Sequence, residues 1–150
     1  MRALVVDDES TSRVLLQTFL SQYGDCQAVT SGSEAIAAFR QALEANQRFD
    51  LICMDIVMPG INGDEAVLEI RTVEREKGVA QSERARIVMI SVLKDPNAIH
   101  TAVMLDCDGY LLKPINTGEL LAHLGAFGLV PLGWCLPKAV HRGSPGTRNR

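Results

Sequence analysis

Aromatic residues and long apolar segments are scarce in this chain. Aromatic side chains make up 5% of the 150 residues, and no apolar run approaches the roughly 20 residues that a membrane span needs. The first apolar stretch, residues 3–6, ends at two aspartates and lacks the form of a signal peptide. These absences predict a cytoplasmic protein without membrane insertion.

The cysteines lack the CxxC spacing that is typical of zinc sites and redox motifs. Two of them lie in predicted strands, where a free thiol packs as a small hydrophobic side chain. We therefore expect reduced, structural cysteines, as in cytoplasmic proteins; the four are Cys26, Cys53, Cys107 and Cys135.

Acidic residues are absent after Glu119, so the net charge of −3 is unevenly distributed. Residues 1–119 carry 11 basic and 18 acidic side chains, a net charge of −7. The remainder carries a charge of +4, from Lys138, Arg142, Arg148 and Arg150. An acidic body argues against direct binding of nucleic acid.

Short apolar runs alternate with helical patterns along residues 1–130. The runs predict strands at 3–6, 26–30, 51–54, 87–90 and 110–112. The patterns predict helices at 12–23, ending at Gly24, then at 31–43, 64–77 and 96–106, with a last helix from 117. Five strand–helix repeats predict an α/β fold with a parallel sheet covered on both faces. We expect residues 1–130 to form one domain, and residues 131–150 a basic tail containing Gly and Pro, too short for an output domain.

Polar residues follow four of these runs directly: Asp7-Asp8, Asp55, Ser91 and Lys113. Parallel strands share one carboxyl edge, where α/β proteins bind ligands. Close carboxylates repel one another unless a cation neutralises them, and Mg²⁺ prefers such oxygen ligands. With its charge neutralised, Asp55 can attack a phosphoryl donor, while Ser91 and Lys113 contact the phosphoryl oxygens. The pattern predicts a site for Mg²⁺ (or Mn²⁺) and a phosphoryl group.

Each of these residues also has a simpler interpretation when it is taken alone. Asp7-Asp8 can cap a helix, and Asp55 can belong to the turn before a loop rich in Gly and Pro. Ser91 can end a strand, and Lys113 can be a solvated surface lysine. The combination at four strand ends is what favours a functional site.

The stretches around these strand ends resemble the receiver domain of response regulators, the phosphoacceptor part of two-component signalling. They are Val5–Glu9, Asp55–Gly60, Ile90–Ser91 and Asp108–Pro114, and the resemblance spans residues 2 to about 128. It implies a doubly wound (βα)5 fold, flavodoxin-like and CheY-like, with a five-stranded parallel sheet in the order 2-1-3-4-5.

The resemblance also implies a role for each residue. Asp55 would be the phosphoacceptor, with Asp8 a direct metal ligand and Asp7 an outer one. The backbone carbonyl of Val57 would be a further ligand. Lys113 would be the counter-charge, and its bond to the following proline would be cis.

For the output, the resemblance implies a switch in which the Ser91 hydroxyl and the Tyr110 ring move together. The switch would remodel a face made of the 96–106 helix, the fifth strand and the last helix. A histidine kinase or phosphotransfer protein would dock on the 12–23 helix, where Arg13 lies near the site. The downstream partner would be an unknown protein, and the chain a monomer or a phosphorylation-dependent homodimer.

Three departures from the family pattern bear on these roles. Ser91 stands where many members have Thr, and Asp106-Cys107 replaces a common Gly-Ala before the fifth strand. Val57 and Leu93 are apolar at positions where polar side chains can orient a hydrolytic water. We therefore predict slow self-dephosphorylation.

Two other functions share part of this chemistry. A small Mg²⁺-dependent aspartyl-phosphate phosphatase usually shows Asp-x-Asp at its nucleophile, where this chain has Asp55-Ile56-Val57. A flavodoxin-like cofactor binder would need a phosphate loop rich in Gly and hydroxyls after the first strand, where this chain has acids. We favour a phosphoacceptor that assists its own phosphorylation and dephosphorylation without being an enzyme in the usual sense.

Overall fold

A computed structural model describes residues 1–92 and 106–131 of the chain. The strands are β1 (Arg2–Val6), β2 (Asp25–Val29), β3 (Leu51–Asp55), β4 (Arg86–Ser91) and β5 (Gly109–Leu112). The helices are α1 (Ser10–Leu20), α2 (Gly32–Glu44), α3 (Gly63–Glu76) and α4 (Thr117–Ala126), with a 3₁₀ turn at Gln81–Glu83. Within these residues no helix is long and apolar enough to cross a membrane.

The five strands form one parallel sheet in the order β2-β1-β3-β4-β5, which confirms the predicted order. Leu4 on β1 pairs with Gln27 on one side and Ile52 on the other. All of β3 and nearly all of β1 and β4 are buried. Their near-continuous apolar runs match strands that are covered on both faces.

Alternate residues of the strands belong to two separate cores. Leu4 and Ile52 pack on one face of the sheet with Phe39 of α2 and Ile70 of α3. The other face is lined by residues such as Val5 and Cys53, and it is covered by Leu16 and Leu20 of α1 and Leu120 and Leu124 of α4. The period of two along each strand therefore places helices on both faces.

The predicted end of the first helix at Gly24 is wrong, because α1 ends at Leu20. Residues 21–23 continue as a tighter turn, in which the Tyr23 N–H donates to the Leu20 carbonyl at 2.9 Å. Gly24 instead runs against the amino terminus, where a Cβ would lie 2.0 Å from the Met1 carbonyl oxygen. The glycine serves a close backbone approach rather than a helix cap.

The start of α2 follows its sequence signal. At α2 the Ser31 Oγ accepts from the Glu34 N–H at 3.2 Å, as the predicted capping box requires. The Glu34 carboxylate reaches back to the Thr30 N–H at 2.9 Å, one residue before the Ser31 position that the motif predicts.

Gly63 sets the approach of α3 to the end of β3. Its N–H donates to the Ile56 carbonyl at 2.9 Å, and a Cβ added to it would lie 2.1 Å from the Asp55 carbonyl oxygen. No residue with a side chain fits there without displacing backbone. The first turn of α3 is thus packed directly on the main chain of Asp55.

The predicted 96–106 helix falls almost wholly outside the described residues, as does most of the 131–150 tail. The last residue of that predicted helix, Asp106, lies in a turn with a φ of 62°. Aspartate tolerates this left-handed conformation better than most residues, and glycine tolerates it best.

Candidate functional site

The polar residues that the sequence singled out lie together at the carboxyl edge of the sheet. Asp7 and Asp8 directly follow β1, and Asp55 and Ser91 are the last residues of β3 and β4. Lys113 directly follows β5. The predicted convergence at one edge is therefore observed.

The three aspartates form a compact acidic group. Carboxylate oxygens of Asp7, Asp8 and Asp55 all lie within 4.8 Å of one another. Asp7 and Asp55 are buried and Asp8 is exposed, so the group opens to solvent on one side. Three close carboxylates form a donor set of the kind that hard divalent cations prefer.

Asp7 is held in place by hydrogen bonds, but one of its carboxylate oxygens accepts none from the described residues. Its Oδ1 accepts from the Glu9 N–H at 2.9 Å, and its carbonyl accepts from Arg13 Nη1 at 3.0 Å. Its Oδ2 is buried and accepts no hydrogen bond from the described residues, although Lys113 Nζ lies 3.0 Å away. An under-coordinated buried carboxylate oxygen fits a metal ligand, and the donor set as a whole fits Mg²⁺.

The environment of Asp55 makes its ionised form costly. Burial, followed by repulsion from the Asp7 carboxylate, raises the pKa of Asp55 from 3.8 to about 6, despite the opposing effect of Lys113. A cation in the acidic group would reverse this balance by favouring the charged carboxylate.

Lys113 lies within ion-pair distance of three carboxylates. Its Nζ is 3.0 Å from Asp7 Oδ2, 3.3 Å from Asp55 Oδ2 and 3.5 Å from Glu9 Oε2. The Lys113–Pro114 bond is cis, as expected. Burial alone would lower the pKa of Lys113, but Asp7 and Asp55 outweigh it and raise the pKa. The side chain therefore stays a cation beside the acidic group.

Ser91 and Tyr110 lie on the neighbouring strands β4 and β5. Ser91 is 1% exposed, and its carbonyl accepts from the Lys113 N–H at 2.8 Å. Tyr110 is half-buried and packs against the core that contains α2 and α3. Val57 is 56% exposed in the loop after β3, while Leu93 lies outside the described residues.

Sequence reasoning missed a second charged group, at the opposite edge of the sheet. Arg71 and Glu74 lie on the inner face of α3 and are 5% and 2% exposed. Arg71 bonds to Glu74 at 2.7 Å, to the Ala85 carbonyl at 2.8 Å and to Asp108 at 3.2 Å. Arg84 pairs with Asp106 beside them. The spacing of Arg71 and Glu74 was a signal for a helical ion pair, but nothing in the sequence showed that the pair is buried.

Glu9 also lies in the acidic site, although the sequence did not single it out. It precedes α1 directly, and its carboxylate is the third partner of Lys113. Glu9 follows Asp8 in the chain, so only its position beside the aspartates could have indicated its place.

The fold and the site define a doubly wound α/β domain with a compact acidic group at the carboxyl edge of its sheet. The family model of the response regulator receiver domain matches residues 3–125. The chain belongs to this family of receiver domains, which includes response regulators of two-component systems.

Relatives and solved structures agree with this assignment. The chain is similar to the sensor protein GacS of Pseudomonas syringae pv. syringae, with 33% identity over 79% of this chain and 12% of GacS. It is also similar to the two-component response regulator ARR10 of Arabidopsis thaliana, with 34% identity over 80% of this chain and 20% of ARR10. The chain thus spans a fifth or less of the length of these two relatives.

Among solved structures, one neighbour is the receiver domain of the histidine kinase CKI1 from Arabidopsis thaliana, complexed with Mg²⁺ and BeF₃⁻. It is 30% identical, with a TM-score of 0.72 over 85% of this chain and 89% of that one. The receiver domain of Ssk1 from Saccharomyces cerevisiae, in complex with the phosphotransfer protein Ypd1, shares the fold. It has 23% identity and a TM-score of 0.74 over 93% of this chain and 94% of that one.

Proposed function

We propose that Asp55 accepts a phosphoryl group from a histidine kinase or a phosphotransfer protein. Asp7, Asp8, Asp55 and the Val57 carbonyl would hold Mg²⁺, or Mn²⁺ in its place. The observation that carries the proposal is the convergence of three carboxylates within 4.8 Å, with Lys113 Nζ 3.3 Å from Asp55. Two solved structures of similar domains support it: the CKI1 receiver is complexed with Mg²⁺ and BeF₃⁻, and the Ssk1 receiver is in complex with Ypd1.

Asp55, Lys113 and Ser91 each have a separate role in the phosphoryl transfer. An Asp55 carboxylate oxygen attacks phosphorus, the bond from phosphorus to the donor nitrogen breaks, and the donor imidazole leaves with its electron pair. A bound metal would supply charge neutralisation for the transferring group. Lys113 exchanges a carboxylate partner for a phosphoryl oxygen, and the Ser91 hydroxyl donates to another.

The test is phosphotransfer from acetyl phosphate with Mg²⁺ present. Wild type should be labelled, and Asp55→Asn should lose essentially all labelling because the amide is a poor nucleophile. Asp25→Asn is the matched control, since Asp25 is exposed at the other edge of the sheet; it should be labelled as wild type is. Equal labelling of wild type and Asp55→Asn would contradict the proposal.

For signal output, we propose that phosphorylation moves Ser91 and Tyr110 and remodels a face that includes β5, α4 and the 96–106 segment. That face would bind a protein effector, with the chain acting in the cytoplasm as a monomer or as a phosphorylation-dependent homodimer. The acidic body supports a protein partner rather than nucleic acid. The chain would turn over no substrate other than its own phosphoryl group.

The apolar side chains of Val57 and Leu93 predict a long-lived phosphoryl group. Val57 is 56% exposed and offers a hydrolytic water no hydrogen bond from its side chain. Val57→Asn combined with Leu93→Glu should shorten the half-life of the acyl phosphate by about tenfold or more, because the new polar side chains can orient the attacking water and accept its proton. The decay of labelled protein measures it, with Val14→Asn on exposed α1 surface as the control. An unchanged half-life in the double variant would contradict the prediction.

A further inference from the structure

Glu9 occupies a helix cap position without acting as a cap. It is the residue before α1, yet its side chain accepts no hydrogen bond from the first turn of the helix. The carboxylate turns instead toward Lys113, with Oε2 3.5 Å from Nζ. The side chain is 58% exposed, so it can adjust its position at the rim of the site.

The three carboxylate partners of Lys113 differ in what happens to them when the site is loaded. Asp7 and Asp55 belong to the set proposed to hold the metal, and Asp55 to accept the phosphoryl group. Their charge is then committed to the metal and the phosphoryl group. Of the described carboxylates within 4.0 Å of Lys113 Nζ, Glu9 is the one that is proposed to bind neither the metal nor the phosphoryl group.

We propose that Glu9 is a positioning residue that competes with the phosphoryl oxygens for Lys113. The inference rests on the function proposed above. When the metal and the phosphoryl group are bound, Lys113 must leave its carboxylate partners for a phosphoryl oxygen. Glu9 remains close enough to form its ion pair with Lys113 again. Glu9 thereby weakens the hold of the site on the phosphoryl group, and it acts through Lys113 rather than on the phosphoryl group itself.

The first test measures the binding of beryllofluoride, a phosphoryl mimic, to the full chain with saturating Mg²⁺ by calorimetry. Glu9→Gln should bind about two- to fivefold more tightly than wild type, the range that a solvent-exposed ion pair supports. Glu65→Gln, at an exposed glutamate in the first turn of α3, removes the same charge near the same edge and should change the affinity little. If Glu9→Gln binds no more tightly than Glu65→Gln, the proposal is overturned.

The second test separates action through Lys113 from simple repulsion of an anion. In a Lys113→Met background, adding Glu9→Gln should leave the affinity unchanged, because the competed group is gone. An equal gain in both backgrounds would show through-space repulsion and overturn the proposal. Failure of wild type to bind beryllofluoride with Mg²⁺ would contradict the proposed function itself, whereas binding with no Glu9 effect would contradict the role of Glu9 alone.

Discussion

Arg71→Met is expected to lower the free energy of unfolding by about 3–5 kcal/mol, the usual cost of removing one partner from a buried ion pair. Arg71 joins Glu74, the Ala85 carbonyl and Asp108 at the starts of β4 and β5. Without the guanidinium, the Glu74 carboxylate stays buried with one hydrogen-bond donor, the Ala85 N–H at 2.9 Å, and one more distant cation, Arg84 Nε at 3.8 Å. Urea denaturation measures the loss.

Arg75→Met is the matched control for this prediction. Arg75 lies one turn further along α3 but on its solvent side, where its guanidinium bonds to Thr72. Its replacement should cost less than about 0.5 kcal/mol. The double variant Arg71→Met with Glu74→Met should regain part of the loss, since no buried carboxylate is left without its arginine there. A loss below about 1 kcal/mol for Arg71→Met would show that the ion pairs contribute little.

Magnesium affinity is expected to fall about tenfold between pH 7 and pH 5, because a proton competes with the metal for Asp55. The pKa of Asp55 is raised to about 6, by burial first and by Asp7 second. Above that pH the carboxylate is already ionised, and below it each pH unit costs a factor of about ten in affinity. Calorimetric titration with Mg²⁺ at several pH values measures the slope.

The raised pKa of Asp55 also determines how this group changes the folding stability with pH. Folding raises the pKa of Asp55 above 3.8, so the contribution of Asp55 to the stability of the metal-free protein should be lost as the pH rises from about 4 through 6. Asp55→Asn should bind Mg²⁺ more weakly but with a flatter pH dependence. A variant as steep as wild type would assign the proton to another group.

The parts of the fold that the sequence predicts are those with a local signal. The apolar runs fix β1, β3 and β4, and the polar residues that end them fix the site, because parallel strands bring their ends to one edge. The order of the sheet came from the family resemblance and not from the strands themselves. Glu9 and Lys113 are brought together by long-range packing, for which the sequence carries no local signal.

The errors and omissions have a physical basis as well. Residues 21–23 carry no helix breaker, so nothing in the pattern showed that α1 gives way to a tighter turn before Gly24. Arg71 and Glu74 have the composition of a solvated helix face, and their burial depends on Ala85 and Asp108 arriving from distant parts of the chain. Charged residues are predicted to be exposed unless their partners are known.

The contact between Gly63 and the Asp55 carbonyl implies that a residue with no functional group can govern the reaction. A side chain at position 63 would move either the helix or Asp55, the proposed nucleophile, and displacements of about 1 Å at a reacting centre can cost about a hundredfold in rate. A mutational scan scored by signalling would therefore rank position 63 with the charged residues, although it contributes no atom to the chemistry. At this position the missing side chain is what selection would preserve.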